Sequence, residues 1–184
     1  MTYDHPADVL EFWFAPEHRE SWFEKNELFD GLIRDRFGPL QAQATEGALA
    51  AWREKAESAL ALVILLDQFP RNMFRGTGHA FASDARAREV AGHALTQGFD
   101  AQVKALDPQA PAFFYLPFMH SEDLADQDRA VALYEAAEDE NGLRFAHAHR
   151  DIIARFGRFP HRNAALKRES TKEELAFLET HKGF

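Results

Sequence analysis

Two segments of the sequence place an arginine and an asparagine shortly after a Phe-Pro pair. The first runs from Asp67 to Arg75 and the second from Arg158 to Arg168. A phenylalanine can anchor such a turn and a proline fixes its φ angle, so the arginine is presented at a reduced entropic cost. The planar guanidinium carries a fixed fork of N–H donors that suits a carboxylate or a phosphate. The two segments predict a site for a small anionic molecule, with these ligand-binding side chains: Asp67, Gln68, Arg71, Asn72, Arg75, Arg158, Arg162 and Asn163.

A third segment places His120, Ser121 and Glu122 after an aromatic run. A serine nucleophile is disfavoured, because triad members meet in space rather than in sequence and no Gly-x-Ser-x-Gly elbow is present. An N-cap role for Ser121 fits the following helix better. We predict proton transfer by His120, Glu122, His149 and His161, with further ligand contacts from Tyr115 and Ser121. The sequence does not decide between binding alone and catalysis.

A structural role for the same polar residues is the competing hypothesis. Arginine and asparagine after a helix end can cap its last carbonyl groups, or pair with Asp67 and the acidic residues of the chain. A buried charge network is stable only when it is fully paired. This hypothesis therefore predicts a carboxylate beside both Arg71 and Arg158. A peptide- or protein-binding scaffold is the alternative function, since stacked helix pairs commonly serve that purpose.

Metals and cofactors are not expected. The chain has no cysteine, which excludes disulfides, zinc–thiolate sites and thiol nucleophiles. His147 and His149 are two residues apart and point to different faces of a helix. A site built in three dimensions from His120, Glu122, His149 and His161 stays open, although we predict none. Gly76-Thr77-Gly78 is too short for a phosphate-binding loop and is expected to form a turn.

The net charge is −9, from thirty acidic and twenty-one basic residues, which argues against nucleic-acid binding. The acidic stretch Glu122–Glu140 precedes the basic stretch Arg144–Arg168. We expect these stretches to pair with each other across packed helices, and the alternative is a local basic pocket that receives an anion. The most apolar stretch, Ala59–Leu66, is far shorter than the ~20 residues that cross a bilayer. The first residues lack the basic flank and apolar run of a signal peptide. We expect a cytoplasmic protein without membrane contact.

These residues must be positioned by helices, because apolar residues recur every three to four positions along nearly the whole chain. The spacing predicts about eight helices in one all-α domain, residues 1–184. Helix ends are expected at Gly38-Pro39, Phe69-Pro70 and Asn141-Gly142, and N-caps at Ser21 and Ser170. Residues 112–119 could form a strand, but Pro117 favours a short helix. Irregular antiparallel pairs stacked like tetratricopeptide repeats are the expected architecture, with a plain bundle second.

Four stretches together resemble the bacterial domain-of-unknown-function family 924. They are Val9-Leu10-Glu11-Phe12-Trp13-Phe14, Leu66-Asp67-Gln68-Phe69-Pro70-Arg71-Asn72 with Arg75, Tyr115-Leu116-Pro117-Phe118-Met119-His120-Ser121-Glu122, and Phe156-Gly157-Arg158-Phe159-Pro160-His161-Arg162-Asn163. The similarity covers essentially the whole chain. It implies an all-α, tetratricopeptide-like fold and assigns no activity to any residue. Lys167 departs from the family pattern, which usually has glycine before the arginine.

Overall fold

The computed structural model of the protein describes residues 4–181 and 183, and it contains ten α-helices and no strand within that part of the chain. Eight of the helices have eight residues or more, so the all-α class and the number of helices predicted are confirmed. The helices are α1 Pro6–Trp13, α2 Glu27–Glu46, α3 Ala56–Val63, α4 Phe69–Met73, α5 Asp84–Thr96, α6 Phe99–Val103, α7 Ala112–Met119, α8 Leu124–Ala136, α9 Glu140–Phe156 and α10 Lys172–Thr180.

The chain forms two compact units. Unit 1 comprises Met1–Arg75 and His79–Pro117, and unit 2 comprises Gly76–Gly78 and Phe118–Phe184. Whether both belong to one folding domain, as the sequence predicts, stays a prediction. The same holds for tetratricopeptide-like stacking.

Helix α3 forms the centre of unit 1, where it contacts α1, α5 and α6. Its residues from Ala59 onward are buried, and so is the whole π-helical turn Ile64–Gln68 that follows. Aromatic rings fill the space around α1. Trp13 stacks on Trp22 with ring centroids 5.6 Å apart, and Phe12 stacks on Phe29 at 5.6 Å. The core of this unit is therefore built from apolar helix faces and stacked rings.

The helix break predicted at Phe69-Pro70 is wrong, because the chain stays helical from α3 through the π turn into α4. The Phe69 N–H donates to the Ile64 carbonyl, five residues back, which is the π-helical pattern. Pro70 has no N–H to give to the Leu66 carbonyl four residues back. The Ser83 hydroxyl donates to that carbonyl instead, at 2.6 Å. A distant serine thus replaces the hydrogen bond that the proline removes.

The second helix also continues past its predicted end. Helix α2 contains Pro39 in its interior and ends at Gly47, whose φ of 88° is left-handed. Asp35 and Pro39 are both exposed, so water can solvate the Asp35 carbonyl, which loses its partner four residues on. The predicted N-cap at Ser21 is wrong as well. Asn26 caps α2, and its side chain accepts from the N–H groups of Leu28 and Phe29, both at 3.1 Å.

In unit 2, α8 and α9 pack against each other and α10 contacts the short 3₁₀ turn Pro160–Arg162. Asn141-Gly142 does not break a helix, because both residues lie in the first turn of α9, which Asp139 caps. The cap of α10 is Thr171 with Glu174 rather than the Ser170 pair, one residue further along the chain. The predicted short helix at 112–119 is confirmed.

No helix in the described ranges is long and apolar enough to cross a bilayer.

Candidate functional site

Two of the predicted site residues of unit 1, Gln68 and Arg71, lie beside buried aspartates. Arg71 donates to both carboxylate oxygens of Asp84, at 2.9 and 3.1 Å, and also lies 3.2 Å from an oxygen of Asp67. Asp67 is fully buried in the π turn, where its other oxygen accepts from Gln68 at 2.6 Å. Burial alone would lower the pKa of Arg71, but the two carboxylates outweigh it and the pKa is raised. This guanidinium is fixed in an internal ion-pair network.

Asn72 and Arg75 meet at Asp30, a buried residue of α2. The Asn72 amide donates to Asp30 Oδ1 at 2.8 Å, and Arg75 donates to both oxygens, at 2.5 and 3.0 Å. Arg75 also donates to the carbonyl of Glu24 at 2.9 Å. This network ties α4 to α2, so the asparagine and the arginine are committed to a protein carboxylate.

Tyr115 binds an aspartate of α6. Its ring is buried in α7, and its hydroxyl donates to Asp100 Oδ2 at 3.1 Å. That bond links α7 to α6 within unit 1.

In unit 2, Arg158 and Asn163 surround the carboxylate of Glu174, which is buried in α10. Arg158 donates to both of its oxygens, at 2.6 and 2.8 Å, and Asn163 donates to Oε2 at 3.4 Å. Oε2 also accepts from the Thr171 N–H at 2.7 Å in the capping box. The hydrogen bond from Arg158, against an opposing effect of burial, lowers the pKa of Glu174 to about 2. The predicted carboxylate beside Arg158 is therefore present, as it is beside Arg71.

Glu122 is held by Arg168. Arg168 donates to both oxygens of Glu122, at 2.6 and 2.9 Å, and the Phe159 N–H donates to Oε1 at 2.8 Å. Burial opposes ionisation of Glu122, but these hydrogen bonds prevail and its pKa lies below the ordinary value. Lys167, just before Arg168, has a left-handed φ of 55°. That conformation favours glycine, which the family pattern usually has there, and here lysine adopts it.

The turn that carries His120 is fixed by hydrogen bonds to three successive carbonyl groups. Gln127 Nε2 donates to the carbonyls of Met119 and Ser121, each at 2.7 Å, and Arg162 donates to that of His120 at 2.9 Å. Gln127 is fully buried, and its Oε1 has no hydrogen-bond partner within residues 4–181 and 183. The predicted N-cap role of Ser121 is wrong. Asp123 caps α8, while the Ser121 hydroxyl donates to Asp126 at 2.6 Å.

Two histidines and an arginine surround the ring of Phe159. The rings of His149 and His161 lie 5.6 and 5.5 Å from it, and the Arg162 guanidinium carbon lies 4.4 Å from its centroid. The His120 ring lies 6.4 Å from that of His149. We call His120, His149, His161 and Arg162 the histidine cluster.

Burial and positive charge keep two of these imidazoles neutral at physiological pH. Burial, together with charges on His120, Arg162 and His161, lowers the pKa of His149 to about 3. Burial, with Arg162 and His181 as the main charges, lowers the pKa of His161 to about 4. His149 Nδ1 donates its proton to the carbonyl of Phe145 at 2.8 Å, so the lone pair of the neutral ring is on Nε2. The cluster thus offers a neutral proton acceptor in a positive electrostatic field.

Comparison with known proteins supplies a family. A sequence profile described as a bacterial protein of unknown function, DUF924, matches residues 9–182. The chain belongs to the DUF924 family. The solved structure of a protein of unknown function from Agrobacterium tumefaciens is similar, with 46% sequence identity, a TM-score of 0.88, and coverage of 96% of this chain and 97% of the other. No curated protein matches significantly.

The predicted site residues of this DUF924 protein fall in both units. Unit 1 brings together Asp67, Gln68 and Arg71 at one network, and Asn72 and Arg75 at a neighbouring one. The remaining predicted residues, Tyr115 excepted, lie in unit 2: His120, Ser121, Glu122, His149, Arg158, His161, Arg162 and Asn163. Convergence of the two sets on one pocket stays a prediction.

Three of the carboxylates that hold the arginines of this DUF924 protein were absent from the predicted site, whereas Asp67 and Glu122 were included in it. Asp30, Asp84 and Glu174 lie 45, 13 and 16 residues from the arginines they bind. Only Glu174 carries a local signal, because it completes a capping box with Thr171. Gln127 was also missed, and no motif marks it.

No group of three or more histidine, aspartate or glutamate side chains among residues 4–181 and 183 could hold a metal ion. A surface depression in unit 1 is lined by His5–Ala7 and Lys55–Ser58, and it contains none of the predicted site residues of this DUF924 protein.

Proposed function

We propose that the histidine cluster of unit 2 binds a small anionic molecule, a carboxylate or a phosphate, and offers it a neutral imidazole as proton acceptor. The observation that carries the proposal is electrostatic. The charge of Arg162 acts on both His149 and His161, and each has a pKa well below that of a free histidine. A buried positive field of this kind attracts negative charge.

The neutral imidazoles supply the chemistry in this proposal. At pH 7 neither His149 nor His161 has to lose a proton before it can accept one. A bound anion would stabilise the protonated form and raise the pKa of the imidazole it contacts. Glu122 would position the turn beside the cluster, because its carboxylate accepts hydrogen bonds from the Phe159 N–H and from Arg168. It is a positioning residue in this proposal rather than an acid.

The arginines already bound to carboxylates are poorer ligands for an anion. Arg71, Arg75, Arg158 and Arg168 each form hydrogen-bonded ion pairs with an aspartate or a glutamate. To bind a ligand they would have to leave that partner, and a buried carboxylate without its partner costs about 3–5 kcal/mol. The anion is placed at Arg162 in the proposal because the charge of that residue acts on both imidazoles. The cost of breaking their bonds to carboxylates leaves Arg71 and Asn72 with a structural role.

Thermal denaturation against inorganic phosphate, phosphate esters and dicarboxylates tests the proposal. A ligand at about a hundred times its Kd stabilises by ~2.7 kcal/mol, which raises the Tm of a protein of this size by roughly 5–10 °C. We expect such a shift with one class of anion. We expect Arg162→Met to abolish it, and Arg162→Lys to weaken it if the first variant does not fold.

The matched control is Arg150→Met, which removes a positive charge from the same unit. Arg150 lies at the surface of α9, where it pairs with Asp128 at 2.6 Å. This variant should keep the full ligand response. A shift that survives Arg162→Met, or the absence of any shift in the unmodified protein, would refute the proposal.

A peptide- or protein-binding scaffold is the second candidate. The observation in its favour is an apolar set of side chains in unit 1, where Phe23, Leu28 and Leu32 are 69%, 84% and 39% exposed. Leu28 and Leu32 are four residues apart in α2 and so lie on one face. Tetratricopeptide-like stacking, a cytoplasmic location and the absence of nucleic-acid partners stay predictions.

A further inference from the structure

One face of α2 carries exposed apolar residues along the length of the helix. Leu28, Leu32, Asp35, Pro39 and Ala42 are all exposed and follow one another at spacings of four, three, four and three residues. Residues at these spacings share one helix face, and the repeat is typical of helices that pair with another helix. We call these five residues the α2 stripe. The outer face of a surface helix is ordinarily polar, so four apolar residues there indicate a contact surface.

The α2 stripe is complementary in size to its own reverse. Its larger apolar residues, Leu28 and Leu32, lie in the first half of the helix, and its smaller ones, Pro39 and Ala42, lie in the second. In an antiparallel pair of α2 helices whose midpoint lies just after Asp35, Leu32 lies opposite Pro39 and Leu28 lies beside Ala42. Large side chains thus meet small ones along the pair. A parallel pair would place each leucine on itself and would bring two Asp35 carboxylates together.

The charges at the α2 stripe are complementary in the same arrangement. Asp35 of one copy lies opposite Arg36 of the other, and symmetry repeats this contact. Lys25, just before the helix, lies opposite Glu46, the last residue of α2, again twice. All four side chains are exposed. Within one copy Lys25 lies 3.5 Å from Glu27, and such an exposed pair contributes little to stability.

Lys25 and Glu46 are unfavourably placed with respect to the dipole of their own helix. A helix carries partial positive charge at its N-terminus and partial negative charge at its C-terminus. A lysine just before α2 and a glutamate at its end therefore each lie beside a charge of their own sign. An antiparallel second copy brings Glu46 to the first turn and Lys25 to the last turn of its partner. A placement that is unfavourable in one copy is thus favourable between two.

We propose that a second copy of this chain binds at the α2 stripe, with the two α2 helices antiparallel. The interface lies within unit 1 and does not depend on the anion site of unit 2. The 20 residues of α2 give a contact about 30 Å long. A single pair of helices forms an interface at the small end of the range for specific complexes, so we expect a Kd on the order of micromolar.

Sedimentation velocity of the full chain, at protein concentrations below and above about 10 µM, measures this association. We expect a monomer at low concentration and a dimer at high concentration. Leu28→Glu should weaken the dimer at least about tenfold, because it places a charge against apolar atoms of the partner. The new carboxylate lies in the first turn of α2, where acidic residues stabilise a helix, so the chain should still fold.

Leu175→Glu is the matched control. Leu175 is 55% exposed and lies near the start of α10, so this variant also puts a carboxylate in place of an exposed leucine at the beginning of a helix. It lies outside the α2 stripe and should leave the Kd of the dimer unchanged.

An exchange of charges tests the antiparallel arrangement itself. Lys25→Glu and Glu46→Lys should each weaken the dimer about fivefold, since each turns an attraction into a repulsion at two places. Each substitution also suits the dipole of its own helix, so neither should impair folding. A chain with both substitutions pairs the same positions with their signs reversed, and it should recover the Kd of the unmodified protein. Arg36 is left intact, because its guanidinium carbon also lies 5.4 Å from the centroid of the Phe12 ring.

A chain that stays monomeric at every concentration, or a dimer that Leu28→Glu leaves unchanged, would overturn the proposal. So would a double variant that associates as weakly as the two single ones, because antiparallel pairing is what brings Lys25 beside Glu46. A monomeric chain would leave this surface to a different protein, as a peptide- or protein-binding scaffold requires. It would also leave anion binding at Arg162 untouched, so the two proposals fail separately.

Discussion

An arginine stays charged wherever it is buried, so the groups around it decide what it can do. Arg71 lies between two aspartates, and Arg158 lies on a glutamate that also caps a helix. Both behave as the structural hypothesis requires. Arg162 donates to the carbonyl of His120 and faces the ring of Phe159. Three arginines of the two Phe-Pro segments thus lie in different surroundings.

His149 should make the stability of the protein depend on pH. Its pKa is about 3 in the folded protein and 6.5 in the unfolded chain. Between these values the unfolded chain binds a proton that the folded protein does not, so the free energy of unfolding falls as the pH falls. From pH 7 to pH 5 the loss due to His149 is about 2 kcal/mol, or roughly 4–8 °C in Tm. His149→Gln, which is neutral throughout, should remove that part of the loss.

The measurement is the Tm of the unmodified protein and of His149→Gln, each at pH 5 and at pH 7. His147→Gln is the control, because His147 is exposed on the same helix, and it should retain the pH dependence of the unmodified protein. An unchanged difference in Tm between the two pH values for His149→Gln would show that this imidazole takes up its proton without unfolding.

At the scale of helices, two glycines illustrate how neighbours decide the effect of a substitution. Gly31 lies inside α2 with open space where the methyl group of an alanine would lie, whereas a Cβ on Gly142 in α9 would lie 2.3 Å from the ring of Tyr134. Gly31→Ala should stabilise the protein by about 0.5–1 kcal/mol, the difference in helix propensity. Gly142→Ala should destabilise it by about 1–3 kcal/mol through overpacking.

Urea denaturation of both variants against the unmodified protein checks these values. The Gly31 variant serves as the control for the Gly142 variant, since both add one methyl group to a helix. Equal and favourable changes at the two positions would mean that Tyr134 moves aside at little cost. A loss at Gly31 would contradict the open space on that face of α2.

The helices could be predicted from the sequence because the spacing of apolar residues is a local pattern. Several helix ends could not be predicted, because they depend on residues that are distant in sequence. Apolar spacing predicted the long helices. Pro70 does not end its helix. It leaves the Leu66 carbonyl without its usual N–H donor, and the hydroxyl of Ser83, 17 residues further along the chain, donates to that carbonyl instead. Gly142 fits a close contact with Tyr134 rather than a break. The residues of the candidate site were proposed from their types, but the carboxylate partners Asp30 and Asp84 lie at distances in sequence that no motif encodes.

At the scale of the whole molecule, the folding of the two units can be followed separately. All three tryptophans, Trp13, Trp22 and Trp52, belong to unit 1, so tryptophan fluorescence reports on that unit. Hydrogen exchange of α8 and α9 reports on unit 2. The sequence contains no linker or change of composition, which predicts one cooperative domain.

A single domain unfolds in one transition, whichever probe is used. We therefore expect fluorescence and hydrogen exchange to give the same midpoint in urea. Gly142→Ala sharpens the test because its clash lies in unit 2, whereas the tryptophans lie in unit 1. In one cooperative domain the substitution lowers both midpoints equally, since neither unit is stable without the other. If only the exchange of α8 and α9 moved to lower urea and fluorescence kept its midpoint, the two units would be independent folding domains, and residues 1–184 would not be one.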